Sequence, residues 1–372
     1  MKIKKTYEEI NEKILKGKAV VLNAEEVTKL AREKSPAEIA RSVDVITTAT
    51  FGPMCSSGIF INFGHPDPPV RMEKILLNQV PAHAGIAAVD AYLGAAAESV
   101  TDIKYGGAHV IESLIKGEKV ELQARGKGTD CYPGKEDIRQ IDKDSVNEIF
   151  MFNPRNAYQN YSVAVNRSGS VKYTYMGVLL PKLGNAMYST AGELSPLLND
   201  PDFRTIGIGT RIFLCGAQGY VSWNGTQFNP DVEKNQHGIP IKNAATIAVI
   251  GDLKQMNSAY VKAAYFEKYG VSLFVGIGIP IPVLDEEIAA RVSVSNRQIE
   301  TTIFDYGSPD KPQLGITNYE ELQSGSIRLN GKKIRTAPLS SIKIAREIAR
   351  VLKNQISNGE FLISKPVQQL IK

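Results

Sequence analysis

Polar and apolar positions alternate in a way that sets out the first fifty residues clearly. Thr6-x-x-Glu9 stands ahead of Tyr7, Ile10 and Ile14 at helical spacing, which predicts a capped amphipathic helix that Gly17 ends. A short apolar run, Ala19 to Leu22, predicts a strand, and Asn23 then caps a second helix through Ala31. Ser35-Pro36 with Glu38 opens a third helix, because serine caps and proline fits the first helical turn. Val43 to Thr48 reads as another strand. Strand and helix in alternation favour an α/β architecture.

The pattern then changes. From Phe51 to Gly134, glycine and proline interrupt short apolar runs, and the loops are too apolar for disorder. Ala82 to Ser99, rich in small residues, reads as a closely packed helix. Lys135 to Asn147 is charged and polar, the best candidate for an exposed connection. Tyr161 to Leu180 reads as a hairpin turning at Asn166–Gly169, and Tyr220 to Phe228 as another with Asn224-Gly225 at its turn. Ala245 to Ile250 reads as a buried strand, Asp285 as a helix cap, and Asn330-Gly331 as a third hairpin turn. A last helix starts near Ser340 or Ser341 and ends before Gly359. Its apolar face is Ala345, Ile348, Ala349, Leu352 and Ile356, beside a basic stripe of Lys343, Arg346, Arg350 and Lys353. The expected fold is α/β, a mixed sheet with several β-hairpins and flanking helices and an open strand order. It forms one domain over 1–372, with room for two lobes dividing near 135–150.

Composition narrows the function classes. The chain has 372 residues, 43% hydrophobic and 22% charged, enough for a large core without staples. A net charge of +5 over this length gives no case for nucleic acid. No apolar stretch approaches the roughly 20 residues of a membrane span, and the N-terminus has no apolar signal core. A cytoplasmic protein is expected. Cys55, Cys131 and Cys215 are an odd number without CxxC spacing, which argues against a disulfide framework or zinc knuckle.

Cys131 lies in Gly126-Lys127-Gly128-Thr129-Asp130-Cys131-Tyr132-Pro133-Gly134, held on a loop with Arg125 and Lys127 close in sequence. Cationic neighbours favour the nucleophilic thiolate; a small buried cysteine at a turn is the competing reading. Cys55 follows a predicted strand, in a turn that suits either a structural cysteine or one facing Cys131 across a cleft. Cys215 sits in an apolar strand pattern and is expected to be buried and inert. His65, His83, His109 and His237 lie in loops without metal-ligand spacing, so no metal is expected; His65 and His83 are acid/base candidates beside Cys55. Gly207-Ile208-Gly209 and Gly276-Ile277-Gly278 are short glycine turns that complete no phosphate-binding motif.

The segments CSSGIFINFGHPDPP, GAHVIESLIKGEKVELQARGKGTDCYPG, GIGTRIFLCGAQGYV and GIGIPIPVLDEEIAARVSV resemble the homocysteine biosynthesis (sulfur-incorporation) family of methanogens and other anaerobes. The resemblance runs from about residue 10 to residue 368. It implies an L-aspartate semialdehyde sulfurtransferase in which Cys131 carries sulfur as a persulfide and Cys55 is its companion. It further implies sulfide or another sulfur donor, an external two-electron reductant in the form of a small ferredoxin-type [4Fe-4S] partner, and no cofactor bound by this chain. Many archaeal members carry a C-terminal pair of CBS domains; no such pair and no ferredoxin domain are expected within these residues. A homo-oligomer is compatible with the sequence.

The substrate's chemistry adds candidates. Arg125 or Arg211 suits its α-carboxylate, Asp130 its ammonium, and His65 stands with them as a substrate-side group. The basic stripe of the last helix is either a solvated face or a docking face for an acidic ferredoxin. Two other classes stay open: an acyl- or CoA-transfer enzyme binding a phosphate-bearing ligand, and a non-catalytic persulfide carrier.

Overall fold

The computed structural model describes residues 3–370. The three N-terminal helices form where their caps predict. Thr6 with Glu9, Asn23 with Glu26 and Ser35 with Glu38 each make a reciprocal capping box, opening helices Tyr7–Leu15, Ala24–Leu30 and Pro36–Ser42. Between them Val21–Asn23 pairs in parallel with Val45–Pro53. Every other pairing in this sheet is antiparallel.

That sheet has ten strands. From the Val21–Asn23 edge it runs through Val45–Pro53, Gly270–Pro282, Arg211–Leu214, Ala217–Asn224, Ile247–Asp252, Glu148–Asn156 and Gly58–Asn62 to Asp90–Gly94. The thirteen-residue strand Gly270–Pro282 forks the sheet: its first half also pairs with Val261–Phe266, its second with Arg211–Leu214. A second, six-stranded mixed sheet holds Gln313–Asn318, Glu300–Asp305, Val163–Val165, Asn185–Tyr188, Lys332–Pro338 and Ser326–Leu329 over its own buried cluster of Val163, Tyr188, Ile303 and Tyr319. A four-stranded antiparallel sheet, Val80–Ala82, Lys74–Leu77, Val120–Arg125 and Glu136–Ile141, carries the Cys131 loop. The fold is mixed α/β.

The last helix, Ile342–Ser357, is capped by Ser341 and buries all five residues of its predicted apolar face. It lies on the large sheet over Gly276 and Gly278. A Cβ on Gly276 would come within 2.8 Å of Ile348, so these glycines serve close helix–sheet packing and not a phosphate. The Gly207–Ile208 turn pairs with Gln368–Gln369, which occupies the backbone a ligand would need. The basic stripe is largely neutralised: Arg346 pairs with Glu25, Arg350 with Glu347 and Lys353 with Glu26.

Four expectations are corrected. Residues 82–99 form no helix; they complete one strand, turn, and form Asp90–Gly94, with small residues where Gly106 and Gly107 pack at the start of helix Gly107–Lys116. The charged 135–147 segment contains the edge strand Glu136–Ile141. Val163–Val165 pairs with Asn185–Tyr188 and Glu300–Asp305, so the local hairpin is the shorter Lys172–Thr174 with Gly177–Leu179. Ala217–Asn224 folds back on Arg211–Leu214 through Cys215-Gly216, and Asn224-Gly225 leads into a loop.

Candidate active site

Cys55 sits in a four-residue turn between Val45–Pro53 and Gly58–Asn62, closed by the Ser57 N–H donating to the Met54 carbonyl at 3.0 Å. Fully buried Asn153, in the neighbouring strand, pins this turn. Its Nδ2 donates to Ser57 Oγ at 2.8 Å, while its Oδ1 accepts from the Arg155 N–H at 2.8 Å and from Ser56 Oγ at 3.3 Å. One polar side chain thus ties the cysteine turn to the backbone that presents Arg155.

The thiol is free and half-buried, on the wall of a cavity of about 170 Å³ between the large sheet and the second sheet. That volume is below the roughly 300–1,000 Å³ of drug-sized sites and suits a small metabolite. The large sheet contributes Cys55, Ser56 and Arg155 and the hairpin turn at Tyr269. The second sheet and its hairpin contribute Tyr161, Tyr175 and Ser189. Arg155 is the one charged residue among those lining the cavity. Its Nε donates to Thr226 Oγ1 at 3.0 Å, and it has no carboxylate partner among the described residues.

One hydroxyl reaches the sulfur, and a chain of others stands at the cavity's second-sheet side. Tyr269 Oη is 3.7 Å from Cys55 Sγ. Tyr161 donates to Tyr175 at 3.0 Å, and Tyr175 and Tyr306 share a hydrogen bond at 2.7 Å. Burial, followed by the proximity of Cys55, pushes the Tyr269 phenol above its ordinary value. Burial likewise raises Tyr161 and Tyr306, and takes Tyr158 up to about 12 even with the Arg155 charge opposing it. These phenols therefore stay protonated at neutral pH, and the Tyr269 hydroxyl is a donor available to a thiolate on Cys55.

Cys131 occupies a different setting. It is exposed at the tip of the loop from Val120–Arg125 to Glu136–Ile141, held by reciprocal backbone bonds between Thr129 and Tyr132. Gly126 is required at the base, since a Cβ there would lie 2.1 Å from the Arg71 carbonyl. The two cations that favoured a thiolate are paired: Arg125 with Glu136 at 3.0 Å and Lys127 with Glu73 at 3.5 Å. Their positive charge is therefore largely offset at Cys131.

His65 is exposed and stacks on Tyr132, 5.7 Å between ring centroids, so it accompanies Cys131 and not Cys55. Asp130 is exposed on the same loop. Arg211 is remote from both thiols, its N–H on Ser364 Oγ and its guanidinium on the Leu362 carbonyl. His83 lies in a backbone bridge with Tyr92, and His109 accepts from the Gly106 N–H at the start of helix Gly107–Lys116. Cys215 is fully buried in its hairpin turn, with its thiol pushed up to about 12 by burial. Among the described residues no group of three or more His, Cys, Asp or Glu is arranged to hold a metal ion.

The two accessible cysteines do not share a cavity. Cys55 precedes the first residue of Gly58–Asn62, and His65, stacked beside Cys131, follows its last. Four strand steps alone separate those ends by about 13 Å. Arg155, the cation beside Cys55, carries no local sequence signal; it is one residue near the end of a strand, next to Pro154.

Comparison with known proteins gives this arrangement a context. A family model described as "Homocysteine biosynthesis enzyme, sulfur-incorporation" matches residues 19–363. A relative from Methanocaldococcus jannaschii, named L-aspartate semialdehyde sulfurtransferase, is 51% identical over 99% of this chain and 74% of its own length. One of the same name from Methanosarcina acetivorans is 50% identical over 99% of this chain and 72% of its own. An uncharacterized protein from Methanothermobacter thermautotrophicus is 28% identical over 86% of this chain and 72% of its own. No solved structure matches. With a family match across most of its length and relatives sharing half its residues, the chain belongs to the sulfur-incorporating homocysteine biosynthesis enzyme family.

Proposed function

We propose that this protein is an L-aspartate semialdehyde sulfurtransferase that forms homocysteine, with Cys131 carrying the sulfur as a persulfide. One observation carries the reading: two relatives of that name are 51% and 50% identical to this chain over 99% of it. Two accessible thiols, one exposed and one lining a small cavity, supply the nucleophiles such chemistry needs.

The overall change joins an aldehyde and sulfide with two electrons and two protons, R–CHO + H₂S + 2e⁻ + 2H⁺ → R–CH₂–SH + H₂O. Sulfur delivered as the outer atom of a persulfide is two electrons more oxidised, so that route needs four. In the persulfide route the outer sulfur adds to the aldehyde carbon, and the aldehyde oxygen takes up a proton and later departs as water. Cys55 then cleaves the S–S bond, releasing the sulfur on the substrate as a thiohemiacetal that loses water to a thioaldehyde and leaving a Cys55–Cys131 disulfide; two external electrons reduce the thioaldehyde to the thiol and two more reopen the disulfide. We assign that reduction to a ferredoxin-type [4Fe-4S] partner. The disulfide requires the two Cα atoms to come within about 7 Å.

The test is an anaerobic assay with purified protein, sulfide or a sulfane-sulfur donor, aspartate semialdehyde and a low-potential reductant, with homocysteine read by mass spectrometry. Homocysteine from wild type and none from Cys131→Ala is the expected result. Labelled sulfur on Cys131 without homocysteine under any reductant would instead make the protein a persulfide carrier.

A further inference from the structure

We infer that the cavity at Cys55 is the pocket for the amino-acid substrate, with Arg155 binding its α-carboxylate and the Cys55 thiol facing its aldehyde end. The inference deepens the sulfurtransferase reading and rests on it for the identity of the ligand.

Charge is the first argument. The cavity wall carries one cation, Arg155, and no carboxylate. Its charge has no ion-pair partner among the described residues, whereas half-buried Arg139 and Arg291 pair with Asp137 and Asp202, and half-buried Arg211, also unpaired, donates to the Leu362 carbonyl. A guanidinium recognises a monoanion by two parallel N–H···O bonds.

Position is the second argument. Asn153 ties the Arg155 backbone and the Cys55 turn together through Ser56 and Ser57, so cation and thiol are held by one hub on one wall of a small cavity. An α-amino acid with a short aldehyde side chain has an anion at one end and an electrophilic carbon at the other, which is what this pair can hold.

Surroundings are the third argument. With no acidic residue on the wall, the ammonium is left to tyrosine ring faces and to hydroxyl oxygens such as Ser189. Tyr269, protonated and 3.7 Å from the sulfur, can donate to an oxygen that develops negative charge at the aldehyde carbon. Cys131 has none of this: its loop is exposed and its neighbouring cations are already paired.

Protection from alkylation tests the assignment without relying on turnover. L-Homoserine has the same carboxylate and ammonium but an alcohol in place of the aldehyde, so it occupies the pocket without reacting. Iodoacetamide labelling, read residue by residue by mass spectrometry, should show homoserine slowing modification of Cys55 and not of Cys131. Arg155→Gln should raise the homoserine concentration giving half-protection roughly 10- to 100-fold, the loss expected for a charge-assisted contact. Arg155→Lys should retain part of it, which separates lost charge from a damaged fold. Arg125→Gln should leave protection unchanged.

Homocysteine formation by wild type with no protection of Cys55, or protection of Cys131 instead, would overturn the pocket assignment and leave the sulfurtransferase reading standing. Protection of Cys55 that survives Arg155→Gln would remove Arg155 from the pocket. Protection of Cys55 in a protein that makes no homocysteine would uphold a pocket for small carboxylates and overturn the reaction.

Discussion

The cavity at Cys55 and the loop at Cys131 present the same functional group in opposite settings. Cys55 is walled by two sheets, pinned through a buried asparagine, and faces an uncompensated arginine and a protonated phenol. Cys131 stands in solvent on a turn held mainly by its own backbone, with its basic neighbours already paired. The first setting selects a small ligand; the second admits almost anything that can reach it. A thiol that receives sulfur from another molecule needs access, and one that meets a metabolite needs walls. The two settings therefore suggest a division of labour that chemical reactivity alone would not reveal.

The largest expected contrast is in turnover. Cys131→Ser should lower homocysteine formation by at least about a thousandfold, as removal of a covalent carrier does. Supplied with a sulfane-sulfur donor, Cys55→Ser should cost less and leave persulfide accumulating on Cys131, visible as a 32 Da mass increase (about one sulfur atom) on that peptide. Equal losses with no accumulation would erase the distinction.

Stability gives the next contrast. Asn153→Ala should cost about 2 kcal/mol in urea unfolding, because buried partners lose their bonds. Thr129→Ala, in the exposed Cys131 loop, should cost about 0.5 kcal/mol or less. Similar costs at both sites would mean the Cys55 turn is no more firmly held than the loop.

Alkali should act on one site only. Burial raises Tyr158, Tyr161, Tyr269 and Tyr306 above the unfolded phenol value near 10. The neutral phenols favour the folded state below pH 10, and that contribution is lost as pH rises through their folded values, about 12 for Tyr158. Cys55 should therefore become more readily alkylated above pH 10 relative to Cys131 in the same sample. A flat Cys55 profile would show that the tyrosine wall does not depend on protonation. The smallest effect is expected of Tyr269→Phe, which removes a donor to the Cys55 thiolate and should slow its alkylation about two- to tenfold with Cys131 unaffected.

Local signals in the sequence were reliable. Each capping box involves residues three apart, so Thr6, Asn23 and Ser35 mark helix starts without reference to anything distant, and Asp285 and Ser341 do the same. The Asn330-Gly331 turn is equally local, with both residues at positive φ as a tight hairpin requires. Strand pairing is not local. Val163–Val165 takes Glu300–Asp305 as its partner and not the segment that follows it, and no short-range pattern encodes that choice. The same limit governs the candidate site. Cys55 and Cys131 stand out because they lie in glycine-rich turns. Arg155 reaches the cavity only because its strand lies beside Gly58–Asn62, and Arg125 leaves candidacy only because Glu136 is across the ladder.

The strand Gly58–Asn62 leads from the Cys55 turn toward His65, which stacks on Tyr132 beside Cys131, and this separate placement of the two thiols has a kinetic meaning. In the proposed reaction, sulfur taken up at the exposed thiol has to be carried to the cavity. If the 126–135 loop swings, turnover stays first order in enzyme and slows as solvent viscosity rises. If the exposed thiol of one molecule serves the cavity of another, specific activity climbs with protein concentration and falls on dilution. Mixing Cys131→Ser with Cys55→Ser protein then gives more activity than the two show separately.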